Sequence, residues 1–155
     1  MKKSILYLTT SIFILLNGCS WNELFVVKNN SDKSVIVSYQ IEPLQKSGFA
    51  IFDTSPTSYH LNKRGNINWE KQITVTDTDT SQFNLTITLP PKSALIFGRL
   101  NNDTYKNHDQ YFINGRYFNF VRMEIKKENE VITIVKDQFD DFFKKVKGEI
   151  TFDLF

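Results

Sequence analysis

The chain has 155 residues with 19 Lys and Arg against 17 Asp and Glu, and once Lys2 and Lys3 at its start are set aside, 17 basic residues balance 17 acidic ones. That balance provides no field to steer the protein toward nucleic acid, and a single cysteine excludes an internal disulfide. Residues 19–155 are enough for one domain of ordinary size, which must hold together through an apolar core.

Lys2 and Lys3 precede a mostly apolar run from Ile5 to Leu16, followed at once by the polar Asn17 and by Gly18. This is the pattern of a secretory leader, and the run is too short for a membrane span of about 20 residues. Leu16, Gly18 and Cys19 resemble the lipobox of bacterial lipoproteins, although Asn17 stands where a small or hydroxyl residue is usual. The resemblance implies cleavage after Gly18 and lipidation of the Cys19 thiol, giving a leader over 1–18, a lipidated N-terminus over 19–23 and one domain over 24–155. It also implies a membrane partner held through acyl chains, each buried methylene contributing about 0.8 kcal/mol. Ser20 in place of aspartate is similar to the outer-membrane sorting signal of enteric lipoproteins. An ordinary secretory peptide with a cysteine near its cut is the alternative.

Leu24 to Val27 predicts a first strand close behind the anchor, and Asn29 to Asp32 predicts a turn. Val35, Val37, Tyr39 and Ile41 alternate with polar residues, as in a strand with one buried face. Glu42 to Asn66, with Pro43, Gly48, Pro56 and Gly65, reads as a long loop carrying one short edge strand around Phe49–Phe52. Ile67–Val75 and Phe83–Leu89 alternate again and predict two strands joined by a polar turn over Thr76–Gln82. Pro90 and Pro91 end the second, and Ala94–Gly98 predicts the next. Asn114-Gly115 within Tyr111–Phe118 predicts a hairpin with a type I′ turn. Its returning strand runs to Ile125, and another follows over Val131–Val135. Phe139, Phe142, Phe143 and Val146 fall at i, i+3, i+4 and i+7, predicting a helix over 137–148 with Asp137 as cap and Gly148 as stop. A strand over Glu149–Phe155 completes the chain.

Short alternating strands with one late helix predict a mainly β fold: an antiparallel β-sandwich, loosely immunoglobulin-like, with a lipocalin-like closed barrel as the alternative. The stretches NNSDKSVIVSY and LPPKSALIFG are similar to small β-rich lipoproteins of Gram-negative bacteria to which no function is assigned.

Catalytic motifs are lacking: there is no GxSxG, HExxH or glycine-rich phosphate loop, and His60 and His108 both fall in expected solvated loops. Asp77, Asp79 and Ser81 imitate the opening of a calcium loop, but Gln82 replaces the required glycine and Thr88 the closing glutamate, so no metal and no cofactor is expected. Glu42, Glu70 and Glu124 show no pairing in the sequence. The aromatic residues of 105–120 point instead to recognition. Tyr105, Tyr111, Asn114, Arg116 and Tyr117 form the expected binding surface for a protein or glycan ligand. The expected function is a non-enzymatic binding or assembly module of the envelope. A carrier of an apolar ligand in a barrel and a carboxylate-based hydrolase are the alternatives.

Overall fold

The computed structural model describes residues 20–43, 48–75, 77–81 and 83–155, and of residues 77–81 and 114 the backbone alone. Gly18, Cys19 and the rest of the leader therefore lie outside the described residues, as do the side chains of Asp77, Asp79 and Ser81. In chain order the strands are β1 (Asn22–Asn29), β2 (Val35–Ile41), β3 (Phe49–Ala50), β4 (Phe52–Leu61), β5 (Ile67–Ile73), β6 (Asp77–Ser81) and β7 (Asn84–Leu89), then β8 (Ser93–Asn101), β9 (Arg116–Tyr117), β10 (Phe120–Lys127) and β11 (Glu130–Val135). Helix α1 (Phe139–Phe142), β12 (Lys144–Val146) and β13 (Glu149–Leu154) follow.

A six-stranded sheet in the order β12-β13-β1-β8-β4-β5 faces a five-stranded sheet in the order β11-β10-β2-β7-β6, with β3 and β9 forming a separate pair. Almost every pairing is antiparallel; β1 with β13 and β3 with β9 are parallel. This is the β-sandwich that the alternation predicts. The closed barrel is not formed, because each sheet ends in strands with one partner only: β12 and β5 in one, β11 and β6 in the other.

The core between the sheets is aromatic. Phe25, Phe52, Phe97, Phe120 and Phe139 are fully buried, and Phe139 lies flat on Phe143 at 4.2 Å between ring centroids. Phe52 meets Phe118 edge-on at 4.9 Å, and edge-to-face pairs of this kind contribute about 0.5–1.5 kcal/mol each beyond the area they bury. β1 reads as an unbroken apolar run because both its faces are covered. Phe25 and Val27 enter this core, while Val26 joins Ile67, Ala94 and Ile96 in a smaller cluster on the outer face, flanked by Leu24, Tyr59 and Leu61.

Three expectations are corrected. The segment 42–66 holds a long interior strand and not one short edge strand: β4 is inserted between β8 and β5, and Pro56 falls where its register against β8 slips between Phe52 and Thr57, the place in a ladder that tolerates a missing N–H. β5 and β7 do not form a hairpin, since the expected polar turn contains β6, which pairs with β7, and β5 belongs to the other sheet. The helix is one turn rather than three. After Phe142 the backbone becomes extended at Phe143, and Lys144–Val146 pair with Glu149–Thr151. The apolar spacing is nevertheless used, Phe139 and Phe143 entering the core and Phe142 packing on Phe152.

The registers define two ends. At the far end, Asn29 donates to the carbonyls of Lys33 (2.8 Å) and Pro90 (2.9 Å), closing the expected turn. At the near end, where β1, β4, β10 and β13 begin and β2, β8 and β11 finish, residues 42–43, 48–51, 101–119 and 136–148 gather. The candidate site is built there.

Candidate ligand-binding cleft

The 101–119 segment contains almost no regular structure, so its shape depends on side chains. Tyr105, Phe112 and Phe118 all turn inward, each 4% exposed. Buried Glu23 accepts the Tyr105 backbone N–H at 2.8 Å and pairs with Lys145 at 2.6 Å, while the Lys145 ammonium also donates to the Tyr105 carbonyl. The Tyr105 hydroxyl donates to Asp140 Oδ1 at 2.6 Å. Asp140 Oδ2 accepts the His108 backbone N–H at 3.0 Å and lies 2.7 Å from His108 Nδ1.

Burial pushes the Asp140 carboxyl upward, but the hydrogen bonds from Tyr105 and His108 outweigh it and leave the group below the ordinary carboxylate range. Burial and the neighbouring Asp140 push the Tyr105 phenol far above its usual value. Tyr105 is thus a core strut and not the surface residue expected, because its ring is needed among Phe25, Phe118 and Phe139. His108, expected to be solvated, is likewise drawn in; its side chain is 13% exposed, and its Nε2 lies 3.3 Å from Asp109.

The expected hairpin over Tyr111–Phe118 is replaced. Ile113–Gly115 form a 3-10 turn with Gly115 at φ +67°, and Arg116–Tyr117 pair in parallel with Phe49–Ala50. The cause is Phe112 and Phe118, whose rings stack within the core at 6.4 Å and leave the intervening residues to bulge outward. Tyr117 fastens the other side of this flap: its hydroxyl donates to the Pro43 carbonyl at 2.9 Å, and Gly48 sits against its ring, where an added Cβ would lie 3.0 Å away.

Asn119, fully buried, joins the flap to the sandwich. Its Oδ1 accepts the Phe52 N–H and its Nδ2 donates to the Phe52 carbonyl, both at 2.9 Å, while its own carbonyl accepts the Glu42 N–H at 2.8 Å. Between the flap, the end of β2 and the start of β4 lies an open cleft of about 640 Å³, within the size range of small-molecule and peptide sites. Ile41, Phe52 and Phe83 supply apolar wall, and Phe49, 66% exposed, stands at the mouth.

The polar lining is concentrated in Glu42, Asp53, Asn101 and Arg116. Desolvation by the cleft wall raises the Asp53 carboxyl, against the Ser55 N–H at 2.7 Å and the Arg99 charge, which lower it. Arg116 Nε is buried and, among the described residues, has no hydrogen-bond partner. Glu42 and Arg116 also line a neighbouring hollow with His108 and Lys136, so the guanidinium stands in the partition between the two. Among the described residues no three His, Cys, Asp or Glu are grouped to hold a metal.

Of the surface expected from sequence, the structure brings Arg116 into the cleft, uses Tyr117 to fasten the flap, buries Tyr105 and leaves Tyr111 90% exposed in a neighbouring hollow. Asn114 contributes backbone to the 3-10 turn, and its side chain lies outside the described atoms. Sequence reasoning missed Phe49, Asp53 and Asn119. The one available signal was the apolar run Phe49–Phe52 inside a stretch rich in proline and glycine. Compared with protein-family models, with curated proteins and with solved structures, the chain matches none.

Proposed function

We propose that this chain is a non-enzymatic binding module of the bacterial envelope, anchored in the outer membrane through acylated Cys19, and that it holds a glycan or protein ligand in the cleft beneath the β3–β9 flap. The anchor is supported by the lipobox-like Leu16, Gly18 and Cys19. The observation that carries the binding role is Arg116, whose Nε is buried in the cleft wall without a partner. An unsatisfied buried donor costs about 1–3 kcal/mol, and folding alone does not reward it. A ligand that draws the Arg116 side chain further into the cleft would satisfy it, while Phe49 offers an aromatic face and Asp53, Glu42 and Asn101 offer further hydrogen-bonding groups.

The test is to screen the native chain on a glycan array and a peptide library, then repeat any hit with Arg116→Met and Phe49→Ser. Loss of roughly tenfold in affinity, about 1.4 kcal/mol, is expected for each. Unchanged affinity in both variants refutes the assignment of the cleft. For the anchor, mass spectrometry of the purified chain must find acyl groups on Cys19, lost in Cys19→Ala.

A second reading has one observation in its favour: Glu42 and Asp53 line the same cleft, and Asp53 is raised, as one member of a hydrolytic carboxylate pair is. Turnover of a chromogenic glycoside or ester that disappears in Asp53→Asn would establish it.

A further inference from the structure

Large apolar side chains are unevenly placed on this sandwich. Trp21 is 51% exposed, Phe49 66%, Tyr111 90% and Ile113 45%, and all four belong to the near end. At the far end the turns carry Asp32, Lys33, Lys63, Arg64, Lys92 and Glu128; Ile36, Val131 and Phe155 are exposed there, and of these Phe155 alone is aromatic.

The near-end rings are held outward by their backbones. The Trp21 N–H donates to Asn102 Oδ1 at 3.2 Å, the Asn102 N–H returns to the Trp21 carbonyl at 2.9 Å, and the indole N–H donates to the Asp103 carbonyl at 3.3 Å. Asp103 Oδ2 in turn accepts the Ile113 N–H at 2.9 Å, so one short loop positions Trp21 and Ile113 together, with Tyr111 lining the same hollow. Trp and Tyr with an apolar body and a bonded polar tip are the side chains that settle at the boundary between lipid headgroups and hydrocarbon.

Position identifies what they face. Trp21 lies two positions after Cys19, and at about 3.3–3.6 Å per residue their Cα atoms are no more than about 7 Å apart. Acyl chains on Cys19 therefore enter the bilayer beside this cluster. We infer that the near end, through Trp21, Tyr111 and Ile113, rests in the membrane interface and fixes the orientation of the domain. This rests on the proposed anchor for its occupant, but not for the exposure and fixing of the rings.

The chain has two tryptophans, and the other, Trp69, is 56% exposed on β5, where its ring meets Tyr59 at 5.2 Å on the outer face of the sheet. They form an internal comparison. The native full chain, purified from membranes, is reconstituted into phosphatidylcholine vesicles with and without brominated acyl chains, as Trp69→Phe, retaining Trp21, and as Trp21→Phe, retaining Trp69.

Bromination should lower Trp21 emission roughly twofold and leave Trp69 unchanged, since an interfacial side chain lies about 5–10 Å deep. Vesicle-bound protein with neither tryptophan quenched overturns the inference while leaving the anchor intact, and assigns the cluster to a protein partner. Protein whose Cys19 carries no acyl group but whose Trp21 is still quenched removes the anchor and keeps the interfacial end. Unacylated protein that stays in solution removes both. Tyr111→Ser with Ile113→Ser, both side chains exposed, provides a second measurement: Trp21 quenching should fall while the protein remains vesicle-bound.

Discussion

Replacing Asn119 by alanine tests the joint between flap and sandwich. The Ile51 carbonyl accepts the Arg99 N–H at 2.9 Å, so the N–H and carbonyl of Phe52 point away from β8 and toward Asn119. Both are bonded to its side-chain amide at 2.9 Å, and Phe52 is fully buried. Alanine therefore strands two buried backbone groups, each at a cost of about 1–3 kcal/mol, for an expected loss of about 2–6 kcal/mol. Against a typical stability of about 5–15 kcal/mol that is large enough to measure with confidence in sign and size. Urea titration should show a lower midpoint with an unchanged slope, and the Phe52 amide should lose its protection against hydrogen exchange. A loss below about 1 kcal/mol with Phe52 still protected would falsify this account, since it would mean that other groups satisfy Phe52.

Gly98→Ala should cost about 1–3 kcal/mol, because an added Cβ lies 2.6 Å from Phe52 Cδ1, and Phe52→Leu in the same chain should recover part of it; strictly additive losses would contradict the clash. Arg116→Met should leave the melting temperature unchanged or raise it, having removed an unpaired buried donor, and a clear drop would show that the guanidinium is structural. The Asp140 carboxyl is lowered in the folded protein, so its contribution is complete above the ordinary carboxylate value of about 4 and is lost as pH falls through the folded value. Stability against pH should be flatter below pH about 4 in Asp140→Asn than in the native chain, and parallel profiles would show that the bonds from Tyr105 and His108 to the Asp140 carboxylate do not contribute to stability.

The strands were legible because alternation is a local signal, and the five-stranded sheet can be read almost directly from Val35, Val37, Tyr39 and Leu85, Ile87, Leu89. Their partners were not. β5 and β7 alternate equally well, and nothing in either states that they lie in different sheets. β6 is polar throughout, as an edge strand can be, so its sequence DTDTS imitates a turn. The spacing of Phe139, Phe142, Phe143 and Val146 correctly marked residues seeking the core, but a strand-like continuation after Phe143 serves the same rings and also pairs β12 with β13. The site was half visible. Arg116 and Tyr111 announced themselves as polar and aromatic residues of the expected hairpin, whereas Phe49, Asp53 and Asn119 become neighbours only when β4 returns across the sandwich.

The parallel pairing of β1 with β13 places the last strand between β12 and β1, inside the six-stranded sheet. The five-stranded sheet has all its strands by Val135, but the six-stranded sheet stays open until β13 has been synthesised. A stop codon ahead of β13 removes Ile150 and Leu154 from the core together with the partner of β1. An extension after Phe155 is harmless by contrast: that residue is 83% exposed and leaves the domain at the end remote from the cleft, which makes it the natural point for attaching a label or an affinity handle.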